Sequence, residues 1–86
     1  MVDFTYTIRD PLGIHARPAG MLVRIARDFE DTVITIRRDD ASARGTQLMK
    51  LMGMGVKHGD RVRISAEGAS EEKAIEAMRK FFSENL

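Results

Sequence analysis

Apolar and polar residues alternate from Asp3 to Arg9, with Phe4, Tyr6 and Ile8 on one side and Thr5 and Thr7 on the other. A period of two with aromatic and β-branched side chains predicts a half-buried strand. The period then changes. Leu22, Ile25, Ala26 and Phe29 recur at i, i+3, i+4 and i+7, one apolar stripe of a helix running from about Ala16 to Asp28. Thr32 to Arg37, with Val33, Ile34 and Ile36, predicts a second strand. Ala41 to Arg44 predicts a third, short and small in side chain as suits a sheet edge. Gly45, Thr46 and Gln47 open a short helix through about Met52, with Thr46 as its expected N-cap and Gly53 and Gly55 ending it. Arg61 to Ala66 alternates again, Val62 and Ile64 inward. Ser70 is expected to cap a last helix, with Glu71 and Glu72 at its positive end. Ala74, Ile75, Met78, Phe81 and Phe82 form its buried stripe.

The order β-α-β-β-α-β-α predicts an α+β fold, with helices on one face of a mostly antiparallel sheet. Eighty-six residues, with no internal repeat and no low-complexity linker, make a single domain spanning 1–86. Hydrophobic residues at 43% and charged residues at 31% describe a globular chain able to bury one small core. No apolar run approaches the length needed to cross a membrane. The start has no basic segment followed by an apolar stretch, so no secretory leader is expected. Cysteine is absent, which excludes disulfides and thiol chemistry and fits a cytoplasmic location. A net charge of +1 is too small for a dedicated nucleic-acid binder.

Candidate chemistry gathers at Gly13-Ile14-His15-Ala16-Arg17-Pro18-Ala19-Gly20. Pro11 and Gly13 shape a turn, and Pro18 suits the first turn of a helix, where its missing N–H costs nothing. His15 therefore sits at the helix mouth. No Ser, Thr, Asp or Asn stands there to cap it, so the first-turn N–H groups face open space. With the helix dipole they suit a phosphate, and Arg17 adds a permanently charged fork. A lone histidine in a turn is ordinarily a solvated surface group, and His58 in His58-Gly59-Asp60 reads that way. The neighbours of His15 instead suggest phosphate carried on the histidine. Neither histidine has a second ligand at helical spacing, so no metal site is expected. No phosphate-cradling P-loop is present, so ATP hydrolysis is not expected.

Gly13-Ile14-His15-Ala16-Arg17-Pro18-Ala19 resembles the active-site signature of HPr, the histidine-containing phosphocarrier family of the bacterial phosphotransferase system. The likeness extends to chain length, element order, Leu48-Met49-Lys50-Leu51 with Gly55-Val56, and Ile64-Ser65-Ala66-Glu67-Gly68. It implies an open-faced β-sandwich, a four-stranded antiparallel sheet ordered one-four-two-three and covered on one face by three helices. It further implies that His15 accepts a phosphoryl group through Nδ1 from phosphorylated enzyme I and passes it to IIA proteins or domains in sugar uptake. Arg17 would stabilise the transferring oxygens, and the N–H groups of Ala16 and Arg17 would hold the resting phosphate. Such a carrier needs no cofactor, works as a cytoplasmic monomer without membrane insertion, and is a relay component rather than a self-standing enzyme. Carriage in nitrogen or carbon regulation, or an α+β interaction module with no phosphoryl chemistry, are the alternatives.

The resemblance places partner docking on Gly20, Met21, Arg24, Leu48, Met49 and Met52. The residues themselves allow two readings of the methionines, gap-filling core or adaptable surface. Leu48, Met49, Leu51 and Met52 go nearly round the short helix, so some must be exposed. Gly20 departs from the alanine or threonine more usual in the family. In Gram-positive relatives a kinase modifies a serine at the start of the second helix. Counting from His15 puts Thr46 there. Counting back from Gly55-Val56 puts Gln47 there, pairs Ser42-Ala43 and Leu48 better, and implies a one-residue insertion near Phe29 to Thr32. The second alignment is preferred, and no seryl-type control is expected.

Overall fold

Alternation builds the sheet, and the sheet positions everything else. The computed structural model describes residues 1–86. It contains β1 (Val2–Thr7), α1 (Ala16–Arg27), β2 (Thr32–Arg38), β3 (Ala41–Arg44), α2 (Leu48–Gly53), β4 (Arg61–Gly68) and α3 (Glu71–Asn85). The four strands form one antiparallel sheet in the order β1-β4-β2-β3. Pairing sets Phe4 against Ile64, Ile64 against Ile36 and Ile36 against Ala43, one row across the sheet. All four are buried under the helices. Their chain neighbours face the other way, so the second face of the sheet is open.

Phe82 anchors α3 on this row. It is fully buried and meets the rings of Phe4, Tyr6 and Phe81 edge-on, at centroid distances of 6.0, 5.5 and 5.8 Å. Edge-to-face pairs of this kind add to the stabilisation from burial itself. The buried residues of α3 are the expected Ala74, Ile75, Met78, Phe81 and Phe82. In α1 the buried arc is Pro18, Ala19, Leu22, Val23 and Ala26. Ile25 and Phe29 of the expected stripe are only half-buried. The helix lies between α2 and α3, so its apolar arc turns to meet both.

Several boundaries differ from the expected ones. β1 stops at Thr7, but Ile8 remains buried and exchanges hydrogen bonds with the turn before β4, donating to Asp60 O and accepting from Gly59 N. α1 ends one residue early, at Arg27. β4 continues to Gly68 because Thr32 pairs with it there. An added Cβ at Gly68 would sit 2.2 Å from Asp31 O, so only glycine permits that crossing.

One expected helix cap moves, and the other keeps its place without its capping bond. Gln47, not Thr46, is the N-cap of α2. Gly45 is still tied to the sheet, its N–H donating to Ile34 O at 2.8 Å, and the Gln47 side-chain carbonyl reaches back to accept from Arg44 N–H at 3.0 Å. Ser70 does occupy the N-cap of α3, but its hydroxyl makes no capping bond. It donates to Asp31 Oδ2 at 3.1 Å, while its N–H is taken by Thr32 Oγ1 at 2.9 Å. Buried Thr32 thus ties the start of α3 to the start of β2. No helix is long and apolar enough to cross a membrane.

Candidate functional site

The site begins with a glycine that nothing else could replace. Gly13 has φ +67°, and a Cβ there would lie 2.1 Å from Val56 O. That contact lets Ile14 N–H donate to Val56 O at 3.1 Å and bury its side chain. The preceding turn is closed twice by Asp10. Its backbone carbonyl accepts from Gly13 N–H at 3.0 Å, and its Oδ1 accepts from Leu12 N–H at 2.8 Å. This fold of the chain brings the other carboxylate oxygen, Oδ2, to 3.6 Å from His15 Nε2.

His15 is the N-cap of α1, with an extended backbone and no side-chain capping bond. No acidic residue lies in the first turn. The N–H groups of Ala16 and Arg17 meet no acceptor, Pro18 has none to offer, and the first bonded donor is Ala19, to His15 O at 3.0 Å. Two unpaired donors at the positive end of a helix dipole form an oxyanion seat. Arg17 is exposed and makes no ion pair. His15 keeps 35% of its side chain exposed. Around it lies a half-open depression of about 240 Å³ lined by Asp10, His15, Arg17, Pro18, Met21 and Asn85. A nucleophilic imidazole, two converging N–H donors and a guanidinium can accept, hold and release a phosphoryl group. No three His, Cys, Asp or Glu side chains gather in a way that could hold a metal ion.

Gly20, Met21 and Arg24 are all exposed on α1, and Leu48, Met49 and Met52 on α2. The two helices pack against each other, and Met21 also lines the depression around His15. Among the apolar side chains Met49 is the most open, at 80%. The remaining methionines divide: Met54 and Met78 belong to the core, and Met1 is exposed far along the chain from this patch. Arg27 stands apart in a cleft with Phe29, Glu30 and Arg44. His58 is exposed in its turn.

Three residues of this region escaped the sequence reading: Asp10, Leu12 and Asn85. Asp10 had a local signal, since an aspartate opening a Pro-Leu-Gly turn characteristically bonds an N–H two residues on. Leu12 is 71% exposed in the turn that precedes the histidine. Asn85 arrives only through the packing of α3 and has no local signal.

A family model described as "PTS HPr component phosphorylation site" matches residues 2–84. The phosphocarrier protein HPr of Mycoplasma genitalium is 34% identical over 85 residues, covering 99% of this chain and 97% of that protein. The crystal structure of HPr-C-His from Thermoanaerobacter tengcongensis has a TM-score of 0.89 at 35% identity, covering 96% of this chain and 92% of that one. The structure of a Mycoplasma histidine-containing phosphocarrier protein has a TM-score of 0.92 at 31% identity, covering 96% and 93%. Likeness over nearly the whole of each chain makes this a phosphocarrier of the phosphotransferase system. The chain belongs to the HPr family.

Proposed function

We propose that His15 is the residue that carries the phosphoryl group, charged by phosphorylated enzyme I and discharged to a IIA protein or domain in sugar uptake. The observation that carries this reading is the position of His15 at the unpaired mouth of α1 with its Nε2 turned to Asp10. A carboxylate beside Nε2 favours the proton on that nitrogen and leaves the Nδ1 lone pair available. That lone pair attacks the donor's phosphorus. The donor's bond to phosphorus breaks, and its electron pair returns to the donor. The ring now holds the P–Nδ1 bond, keeps its Nε2 proton and carries a positive charge that Asp10 offsets. Discharge reverses these steps onto the acceptor, with the neutral ring as leaving group.

Arg17 stabilises charge on the equatorial oxygens during transfer, and the Ala16 and Arg17 N–H groups hold the resting phosphate. Gly20, Met21, Arg24, Leu48, Met49 and Met52 form the surface that receives donor and acceptor in turn. Seryl-type kinase control is not expected: Gln47 occupies the N-cap of α2 and has no hydroxyl, which supports the alignment that puts it, rather than Thr46, at the seryl position.

Incubation with enzyme I and labelled phosphoenolpyruvate tests the proposal. The expected product is an acid-labile, base-stable label on the wild-type chain and none on a folded His15→Ala variant. Arg17→Ala is expected to label more slowly with little change in enzyme I affinity. Full labelling of His15→Ala would move the carrier to His58 and overturn the assignment.

A further inference from the structure

The open face of the sheet carries a second cluster of oxyanion donors, sharing no residue with the His15 site. Cross-strand pairing sets Thr35 opposite Ser65 and Arg37 opposite Arg63. These four face away from the helices and, with Met1, line a depression of about 320 Å³. Like charges directly opposed across strands destabilise a sheet. Only one of the two is compensated: Arg63 donates to Asp3 at 2.5 Å, whereas Arg37 is exposed and bonded to nothing. The hydroxyls of Thr35 and Ser65 are half-buried and make no hydrogen bond within the chain. The free Arg37 fork, the part of the Arg63 guanidinium that Asp3 does not hold, and two unengaged hydroxyls therefore line one hollow.

We propose that this hollow binds a small phosphate monoester. A carboxylate has two oxygens and would be satisfied by the Arg37 fork alone, whereas a phosphate dianion can also use the Arg63 N–H groups that Asp3 leaves free and the two hydroxyls. The patch is also bounded. Asp3 flanks it on β1, and Glu67 lies two residues beyond Ser65 on β4, facing the same way. Those carboxylates would repel a long polyanion laid across the sheet, and they leave room for a compact one.

The test is a residue-resolved NMR titration of the full chain with sn-glycerol 3-phosphate, with glycerol as the uncharged control. Saturable shifts are expected at Thr35, Arg37, Arg63 and Ser65, and none with glycerol. Arg37→Gln, which leaves the Arg63–Asp3 pair in place, is expected to weaken binding about tenfold or more. It should also raise the thermal midpoint of the unliganded chain, by removing the like-charge contact, and leave phosphoryl uptake by His15 unchanged. Thr35→Val is expected to weaken binding without that gain in midpoint. Shifts confined to the start of α1, or unchanged affinity in both variants, would overturn the site. A response to a single-stranded oligonucleotide but not to glycerol 3-phosphate would replace it with a polyanion surface.

Discussion

The carboxylate of Asp10 faces His15 across the turn that both residues frame, Oδ2 to Nε2 at 3.6 Å. One aspartate thereby does two things. Its Oδ1 and backbone carbonyl shape the turn, and its Oδ2 faces the imidazole. In the proposed mechanism the geometry of the loop and the readiness of His15 are coupled through a single side chain.

Asp10→Asn separates the two effects. The amide oxygen still accepts from Leu12 N–H, so the turn persists, but the charge beside Nε2 is gone. Phosphoryl acceptance is expected to slow by about threefold to tenfold, in line with a partly exposed ion pair. Imidazole ¹⁵N shifts should show a smaller Nε2–H fraction. An unchanged tautomer with an unchanged rate would reduce Asp10 to a turn former.

Gly13→Ala attacks the same coupling through the backbone. The left-handed conformation alone costs an alanine roughly 1–2 kcal/mol, and the approach of Cβ to Val56 O forces a further shift. A loss of about 2 kcal/mol or more corresponds to a fall in Tm of roughly 8–16 °C. Uptake per folded molecule should fall as well, because the displaced loop carries both Asp10 and His15. Thermal unfolding by circular dichroism and labelling at a temperature where the variant is folded check the two halves.

Most of this arrangement is legible in local sequence. Alternation in Phe4, Tyr6 and Ile8, or in Val62 and Ile64, needs only a sheet with one buried face. The missing cap at the mouth of α1 is visible as the absence of Ser, Thr, Asp or Asn before Pro18. Strand order is not local, and it came from family resemblance. The capping bonds depend on distant partners as well. Thr46 and Ser70 have the right chemistry, but Gln47 is chosen by a sheet bond at Gly45, and Ser70 is claimed by Asp31 and Thr32, far away in sequence. Val23 displaced Ile25 from the buried arc because α1 has two helical neighbours, which a single stripe does not anticipate. Asn85 reached the site the same way, by tertiary packing.

Gly20 and Met49 probe the proposed docking surface from opposite directions. A Cβ at Gly20 meets nothing within 4 Å, so Gly20→Ala is expected to stabilise the chain by about 1 kcal/mol, the usual gain in a helix interior. Its effect on docking should be small, since a single methyl adds little bulk to an exposed helix face. Met49→Glu places a charge at the most exposed point of the apolar patch and should weaken both enzyme I and IIA binding about tenfold, since desolvating that charge opposes either contact. NMR titration of each variant with each partner measures this. Undiminished affinity of Met49→Glu for both would put Met49 outside the interface.

Acid stability should depend on Asp60. Its Oδ2 accepts from Lys57 N–H at 2.8 Å and from Arg38 Nη1 at 3.1 Å, and the same Arg38 nitrogen donates to Gly55 O at 2.9 Å. The carboxylate thus joins the end of β2 to the connection between α2 and β4. The Lys57 backbone bond, with the Arg38 bond and charge, holds its pKa below the usual aspartate range. A depressed folded-state pKa stabilises the fold fully above the ordinary, unfolded value. As pH falls past that value the unfolded chain takes up the proton first, and the contribution is gone below the folded-state pKa. Glu71, lowered by its bond from Gly68 N–H, titrates in the same direction. Asp60→Asn keeps an acceptor for Lys57 N–H but has nothing to protonate. Urea denaturation from about pH 6 down to about pH 2 should therefore show the variant weaker than wild type at the upper end. The two curves should converge as the acid limit is approached, with the residual slope belonging to Glu71 and other carboxylates. Parallel curves across that range would show that the Asp60 bonds contribute nothing that protonation can remove.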